Sequence, residues 1–111
     1  MKKGINMNKF LWGASTSGFQ VEGGYNLGGK GLSTTDVRHV KEGIADTKVA
    51  SDHYHHFKED ILLMKELGLK AYRFSFCWAR IMPDGHHVNQ EGLEFYDQII
   101  QLCLENDIEP I

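Results

Sequence analysis

The apolar residues change their spacing along the chain, and each spacing predicts a different element. Residues 10–15 are a short apolar run that predicts a strand. Residues 53–67 carry apolar side chains at a helical spacing, with Asp52 as a plausible N-cap and Gly68 as the C-terminal stop. The inward positions of this helix are expected to be Tyr54, Phe57, Ile61, Met64 and Leu67.

The second half of the chain repeats this order of elements. Residues 69–78 alternate with a period of two, which predicts a second strand, and a turn is predicted at 83–85. A second helix is predicted over 91–105 with Asn89 as its cap, and a third buried strand is expected to begin near 110. The inward positions of the second helix are expected to be Leu93, Tyr96, Ile99, Ile100 and Cys103. Strand, helix, strand, helix and strand is the order of parallel βα units, so the predicted fold class is α/β.

Residues 23–50 show no such period and hold six of the twelve glycines, which predicts a long irregular connection with a function or with disorder. Within it, Gly24 and the stretch 29–31 come close to the phosphate-binding loop of nucleotide enzymes. However, Gly31 stands where Ser or Thr should bind magnesium, so no nucleotide site is expected. A metal site is not expected either, because the nearby histidines lack zinc-ligand spacing and are expected only to form a partly exposed helix N-terminus. These histidines are His53, His55 and His56.

Composition narrows the class of protein further. The chain is 41% hydrophobic and 24% charged with a net charge of -3 and no basic patch, so a nucleic-acid partner is not expected. No apolar run is long enough to span a membrane. Lys2 and Lys3 are not followed by the apolar segment of a signal peptide, which disfavours secretion. Cys77 and Cys103 do not make a disulfide framework, and both are expected to be buried thiols in a reducing cytoplasm.

Four blocks of sequence together resemble one enzyme family. Residues 10–23 read Phe-Leu-Trp-Gly-Ala-Ser-Thr-Ser-Gly-Phe-Gln-Val-Glu-Gly, which closely resembles the N-terminal signature of the family-1 glycoside hydrolases. Residues 52–61, 72–83 and 92–96 resemble later blocks of the same family in the same order. The resemblance implies a (β/α)8 TIM barrel, which needs about 250 residues. We therefore expect residues 1–111 to be an N-terminal fragment of a single glycosidase domain, with about two βα units and the start of a third strand.

The resemblance also implies a reaction. Family-1 enzymes are retaining β-glycosidases that use two glutamates about 5 to 5.5 Å apart. The motifs that carry these glutamates, Asn-Glu-Pro and Glu-Asn-Gly, are expected beyond Ile111, because Glu109 is preceded by Ile108 and not by Asn. No catalytic residue is therefore expected in this chain, which alone should be inactive. No cofactor is implied, and the expected partner is a small sugar or sugar phosphate.

Residues 28–33, followed by Asp36, resemble the branch of the family that hydrolyses 6-phospho-β-glucosides. An unphosphorylated β-glucoside is the alternative substrate. Two further alternatives are an inactive sugar-binding or interaction module, and a different barrel enzyme that shares only the βα pattern. The oligomeric state is not predicted.

Three site residues follow from the residues and the resemblance together. Alternation along the second strand should pack an aromatic row, which runs from Tyr72 to Trp78, under the helices and send Arg73 toward the barrel centre. A guanidinium there is costly without a carboxylate, although an arginine whose head reaches solvent is the alternative. The resemblance implies that Arg73 orients the catalytic nucleophile. It also implies that Gln20 binds sugar hydroxyls, which a planar amide suits. Glu22 is expected to hold Gln20 or its loop in place, with direct contact to substrate as the alternative.

Overall fold

The structure is a computed structural model that describes residues 10–111, and its centre is a parallel sheet of three short strands. The strands are β1 (Gly13–Ser15), β2 (Ala71–Arg73) and β3 (Glu109–Pro110), in the spatial order β1-β2-β3. In the register, Ser15 pairs with Arg73, and Tyr72 pairs with Pro110. The predicted parallel βα order is therefore confirmed, because each strand reaches its neighbour through a connection that contains a helix.

Five helices lie between these strands, two of them long. The helices are α1 (Gly18–Val21), α2 (Thr34–Val37), α3 (His53–Glu66), α4 (Trp78–Ile81) and α5 (Gln90–Glu105). The predictions for α3 and α5 are confirmed to within a residue at each end. None of the helices within residues 10–111 is long and apolar enough to cross a membrane.

The core lies between α3, α5 and the sheet. Its buried side chains are Phe57, Ile61, Tyr72, Phe95, Tyr96, Ile99, Cys103 and Ile108. Leu67, which we expected to point inward, is instead 79% exposed, because α3 ends at Glu66 and Gly68 takes a left-handed φ of 81° that turns the chain away. On α5 the helical period places Phe95 in the core, whereas the expected Leu93 and Ile100 are only half-buried.

The second strand is shorter than the alternation predicts. It ends at Arg73, and Trp78 is already the first residue of α4. The pairing stops there because β1 ends at Ser15, opposite Arg73, and its chain turns away into α1. Tyr72 and Phe74 stack with their ring centroids 5.2 Å apart, as the aromatic row predicts, but Phe76 and Trp78 are 54% and 66% exposed.

The histidines at the start of α3 differ in their environments. His55 and His56 are exposed, as expected for a helix N-terminus, but the expectation is wrong for His53, which is buried. Its Nδ1 lies 2.6 Å from Oδ2 of Asp60, two turns along the same helix. Among the described residues, no group of three or more His, Cys, Asp or Glu is placed to hold a metal ion.

Candidate functional site

A polar concavity lies at the carboxyl ends of β1 and β2. Its volume is about 250 Å³, and it opens to solvent. The lining residues are Ser15, Thr16, Ser17, Gln20, Arg73, Phe74 and Ser75. The two predicted site residues, Gln20 and Arg73, are therefore brought to one surface, at the end of a parallel sheet where ligands usually bind.

Hydrogen bonds between the two strand ends build this concavity. The backbone N–H of Thr16 donates to the carbonyl oxygen of Arg73 at 3.0 Å, which continues the β1–β2 ladder by one residue. The N–H of Gly18 then donates to the hydroxyl of Ser75 at 2.8 Å, at the first residue of α1. These two bonds hold the start of α1 against residues 73–75. Because α1 carries Gln20, they also fix the position of the Gln20 amide relative to Arg73.

The side chain of Arg73 points away from the helices. Tyr72 is buried under α3 and α5, so alternation along β2 turns Arg73 to the opposite face, where it is exposed. Within residues 10–111, no carboxylate oxygen lies within 4 Å of its guanidinium. The arginine head is thus directed to the concavity with its donors free of any acidic partner from the described part of the chain.

Glu22 lies behind the concavity and not on its surface. The residue is 4% exposed, and the hydroxyl of Tyr96 donates to its Oε1 at 2.5 Å and to its Oε2 at 3.0 Å. Its backbone closes α1 with a 2.9 Å bond from its N–H to the carbonyl of Gly18, and its own carbonyl accepts from the N–H of Tyr54 at 2.8 Å. Burial and the charge of Glu22 raise the pKa of Tyr96 far above its ordinary value, so the phenol stays protonated and donates.

Arg80 is a buried partner of Glu22 to which the sequence patterns assigned no role. Its Nε lies 3.5 Å from Oε1 of Glu22, and the residue has no exposed surface. A signal was present in the sequence, because an arginine between Ala79 and Ile81 sits in an apolar stretch, and a buried guanidinium needs a carboxylate. Nothing in the local spacing indicates that this carboxylate is Glu22, which is far away along the chain.

The ammonium group of Lys30 makes three hydrogen bonds within the long connection of residues 23–50. Its Nζ lies 2.5 Å from Oδ2 of Asp36 and donates to the carbonyl oxygens of Tyr25 and Gly31 at 3.2 and 2.9 Å. Asp36 in turn closes a capping box with Ser33 at the start of α2. The Gly-Lys-Gly stretch is therefore part of an internal ion pair, and the lysine head has no contact left for a phosphate.

The concavity offers a defined set of chemical groups. An amide, a guanidinium and several hydroxyls can donate to and accept from a ligand with many hydroxyl groups. None of its lining residues is an Asp, Glu or His, so this surface provides no general acid or base. The lining of this concavity thus consists of hydrogen-bonding groups without a carboxylate or an imidazole.

Comparisons with known proteins agree on the family. The sequence model of the family described as Glycosyl hydrolase family 1 matches residues 3–111. Beta-glucosidase A of Acetivibrio thermocellus is 50% identical over 106 residues, which cover 91% of this chain and 24% of that protein. The aryl-phospho-beta-D-glucosidase BglC of Bacillus subtilis is 47% identical over 107 residues, which cover 92% of this chain and 22% of that protein.

A solved structure gives the same result for the fold. The psychrophilic beta-glucosidase BglU of Micrococcus antarcticus superposes with a TM-score of 0.85 at 48% identity, over 91% of this chain and 22% of that one. The chain thus spans about a quarter of the length of the curated relatives that it matches.

Proposed function

The chain belongs to glycosyl hydrolase family 1, and from this premise we propose that it is part of a retaining β-glycosidase. The three strands and two long helices of residues 10–111 correspond to the first units of that family's (β/α)8 barrel. We propose further that residues 1–111 belong to a single barrel domain. The term complete protein denotes the product of the whole reading frame that contains these residues.

The observation that supports this proposal is the shared concavity of Gln20 and Arg73. The exposed amide of Gln20 can bridge neighbouring sugar hydroxyls, since it presents donors and an acceptor in one plane. Arg73 faces the same space with no acidic partner among residues 10–111, so its fork is available to a catalytic carboxylate. A bidentate contact would hold that carboxylate ionised and aimed at the anomeric carbon.

In this proposal Glu22 supports the sugar site from behind. Its buried carboxylate accepts from Tyr96, and its backbone closes the last turn of α1, two residues after Gln20. Loss of the carboxylate would therefore move Gln20 without removing any group that touches sugar.

The reaction itself needs two glutamates that lie about 5 to 5.5 Å apart, one as nucleophile and the other first as acid and then as base. The motifs for both are absent from residues 1–111, so the proposed activity belongs to the complete protein and not to this chain alone. We expect the DNA beyond codon 111 to encode, in the same or a shifted frame, Asn-Glu-Pro and, much later, Glu-Asn-Gly. Continuation into unrelated coding sequence would contradict the glycosidase proposal and favour an interaction module.

The proposed substrate is a 6-phospho-β-glucoside, and the proposed location of the enzyme is the cytoplasm. Residues 28–33 resemble the phosphoglycosidase branch, and one relative of 47% identity is named as an aryl-phospho-β-glucosidase. A relative named as a β-glucosidase is 50% identical, so a plain glucoside is the second candidate. The deciding measurement is kcat/KM of the complete protein for p-nitrophenyl β-glucoside with and without a 6-phosphate. Equal or better use of the unphosphorylated compound would assign the protein to the plain β-glucosidases.

The role of Gln20 has its own test. Gln20→Ala in the complete protein should lower kcat/KM by the equivalent of about 1.5 to 3 kcal/mol of transition-state stabilisation, because sugar hydroxyls lose their hydrogen-bond partner. Gln101→Ala is the matched control, since Gln101 is an exposed glutamine on α5, and within residues 10–111 its amide bonds only to Glu105, at 3.3 Å. Equal activity of the two variants would remove Gln20 from the sugar site.

A further inference from the structure

Arg80 binds the main chain of the segment that directly follows Gln20. Its Nη2 donates to the carbonyl oxygens of Gly23 and Gly24 at 3.2 and 3.4 Å, and its Nη1 donates to that of Leu27 at 3.3 Å. With Nε beside the Glu22 carboxylate, the guanidinium faces four positions of one short segment, residues 22–27. One side chain therefore fixes the path of the main chain over residues 22–27.

Aromatic rings hold the guanidinium itself in place. The ring centroid of Tyr54, on α3, lies 4.4 Å from Cζ of Arg80, and that of Phe95, on α5, lies 5.4 Å away. Cation–π contacts of this kind are strongest where water is excluded, and Arg80 has no exposed surface. The arginine thus ties the loop to both long helices of the fold.

The loop that Arg80 binds needs such an external support. Gly23 and Gly24 take left-handed φ values of 64° and 52°, so regular hydrogen bonding stops directly after α1. Beyond Arg80, Leu27 has two main-chain bonds: its N–H donates to the carbonyl of Gly24 at 3.1 Å, and its carbonyl accepts from the N–H of Lys30 at 3.2 Å. Without the guanidinium, the carbonyl of Gly23 would need water, and the carbonyls of Gly24 and Leu27 would each keep only the main-chain bond that they accept. The segment directly after α1 would then lose the side chain that joins its three carbonyls.

We propose that Arg80 is a positioning residue for the sugar site, which acts through the main chain of residues 22–27 to hold Gln20 in the concavity. This inference rests on the proposed glycosidase function. Arg80 lies on α4, which begins at Trp78, four residues after Arg73. It therefore connects the part of the chain that carries Arg73 with the segment that follows Gln20. A lysine would keep the charge of Arg80 but has no planar fork to reach several carbonyls at once.

The first test is a double-mutant cycle in the complete protein with p-nitrophenyl β-glucoside or its 6-phosphate. Arg80→Lys should lower kcat/KM by about 10- to 100-fold, the scale expected when a binding group is misplaced by about 1 Å. In a Gln20→Ala background the same substitution should cost at least about tenfold less, because the group through which Arg80 acts is already gone. Equal costs in both backgrounds would show a general structural role and overturn the proposal.

The second test does not depend on activity. Hydrogen exchange of the amides of Leu27 and Lys30, measured in the complete protein, should be faster in Arg80→Lys and unchanged in Arg38→Lys, a matched control at an exposed arginine. If Arg80→Lys fails to fold, Tyr54→Leu removes one aromatic face and should speed the same amides. Unchanged exchange would overturn the positioning role, whereas fast exchange in a protein without glycosidase activity would overturn only the proposed function.

Discussion

The 111-residue chain expressed alone should lack a cooperative unfolding transition. The described structure exposes 7977 Å² of surface, whereas a compact monomer of this mass exposes about 6,200 Å². The excess is roughly 1,800 Å², and with a little over half of it apolar, about 25 kcal/mol of hydrophobic stabilisation is not realised. Since folded domains are stable by only about 5–15 kcal/mol, the missing contacts outweigh the stability that the chain could reach.

Calorimetry on the purified chain tests this reasoning, after light scattering has shown that it is monomeric, since self-association would cover apolar surface. We expect no sharp heat-absorption peak and no fixed near-ultraviolet signal from the aromatic side chains. Thiol labelling gives an independent measure. In the folded structure Cys103 is fully buried, and burial raises the pKa of its thiol, whereas Cys77 is half-buried.

Without a cooperative core, a thiol reagent should label both cysteines at comparable rates. A sharp transition in monomeric protein, with Cys103 protected and Cys77 reactive, would refute the area argument. The same chain should also hydrolyse no aryl β-glucoside above the level of a mock purification.

Three further predictions concern the complete protein. Arg73→Met should move the acid limb of the kcat/KM profile to higher pH by about 1 to 3 units, because the loss of a positive charge raises the pKa of the carboxylate that it faces, and an unmoved limb would contradict this role. Burial raises the pKa of Asp36, but hydrogen bonds from Lys30 and from Ser33, three residues earlier, outweigh it and leave the pKa below its ordinary value of 3.8. The contribution of Asp36 to the order of this connection is thus present above about pH 4 and is lost as the pH falls through the lowered pKa. Peptic cleavage within 23–50 should therefore be slower than in Asp36→Asn at about pH 4, and the two rates should converge as the pH falls. Gly92→Ala should lower the thermal midpoint by the equivalent of about 1 to 3 kcal/mol in a dye-binding melt, since its methyl group would overlap the carbonyl oxygen of Arg80, and an unchanged midpoint would show that α4 and α5 are not in close contact.

Local patterns predicted the long helices well and the strands less well. α3 and α5 begin and end within a residue of their predicted bounds, because an amphipathic period and flanking residues such as Gly68 act at short range. Alternation alone did not show where β2 ends, since the aromatic row continues past Arg73 although the neighbouring strand has already turned away. Burial of His53 was also missed, because it depends on the packing around the helix and not on the helix itself.

The candidate site was predicted from family resemblance more than from spacing. Gln20 and Arg73 stand far apart in the sequence, and only the parallel pairing of β1 with β2 brings them to one concavity. Arg80 was missed for the same reason, because the carbonyls that it binds belong to a loop 53 to 57 residues earlier. Contacts of this kind arise from topology, which single-sequence patterns do not record.

The guanidinium of Arg80 recognises peptide carbonyls, which every amino acid carries, and this has an evolutionary consequence. Apart from Glu22, whose carboxylate faces Arg80, and the two glycines with left-handed φ, the anchored segment can exchange its side chains without losing its anchor. Asn26 and Leu27 point outward and are exposed, so drift at these positions is expected to be nearly neutral for folding. The segment therefore combines a fixed backbone with a changeable surface, as antibody loops do on their framework, and new specificities could be selected there without rebuilding the barrel.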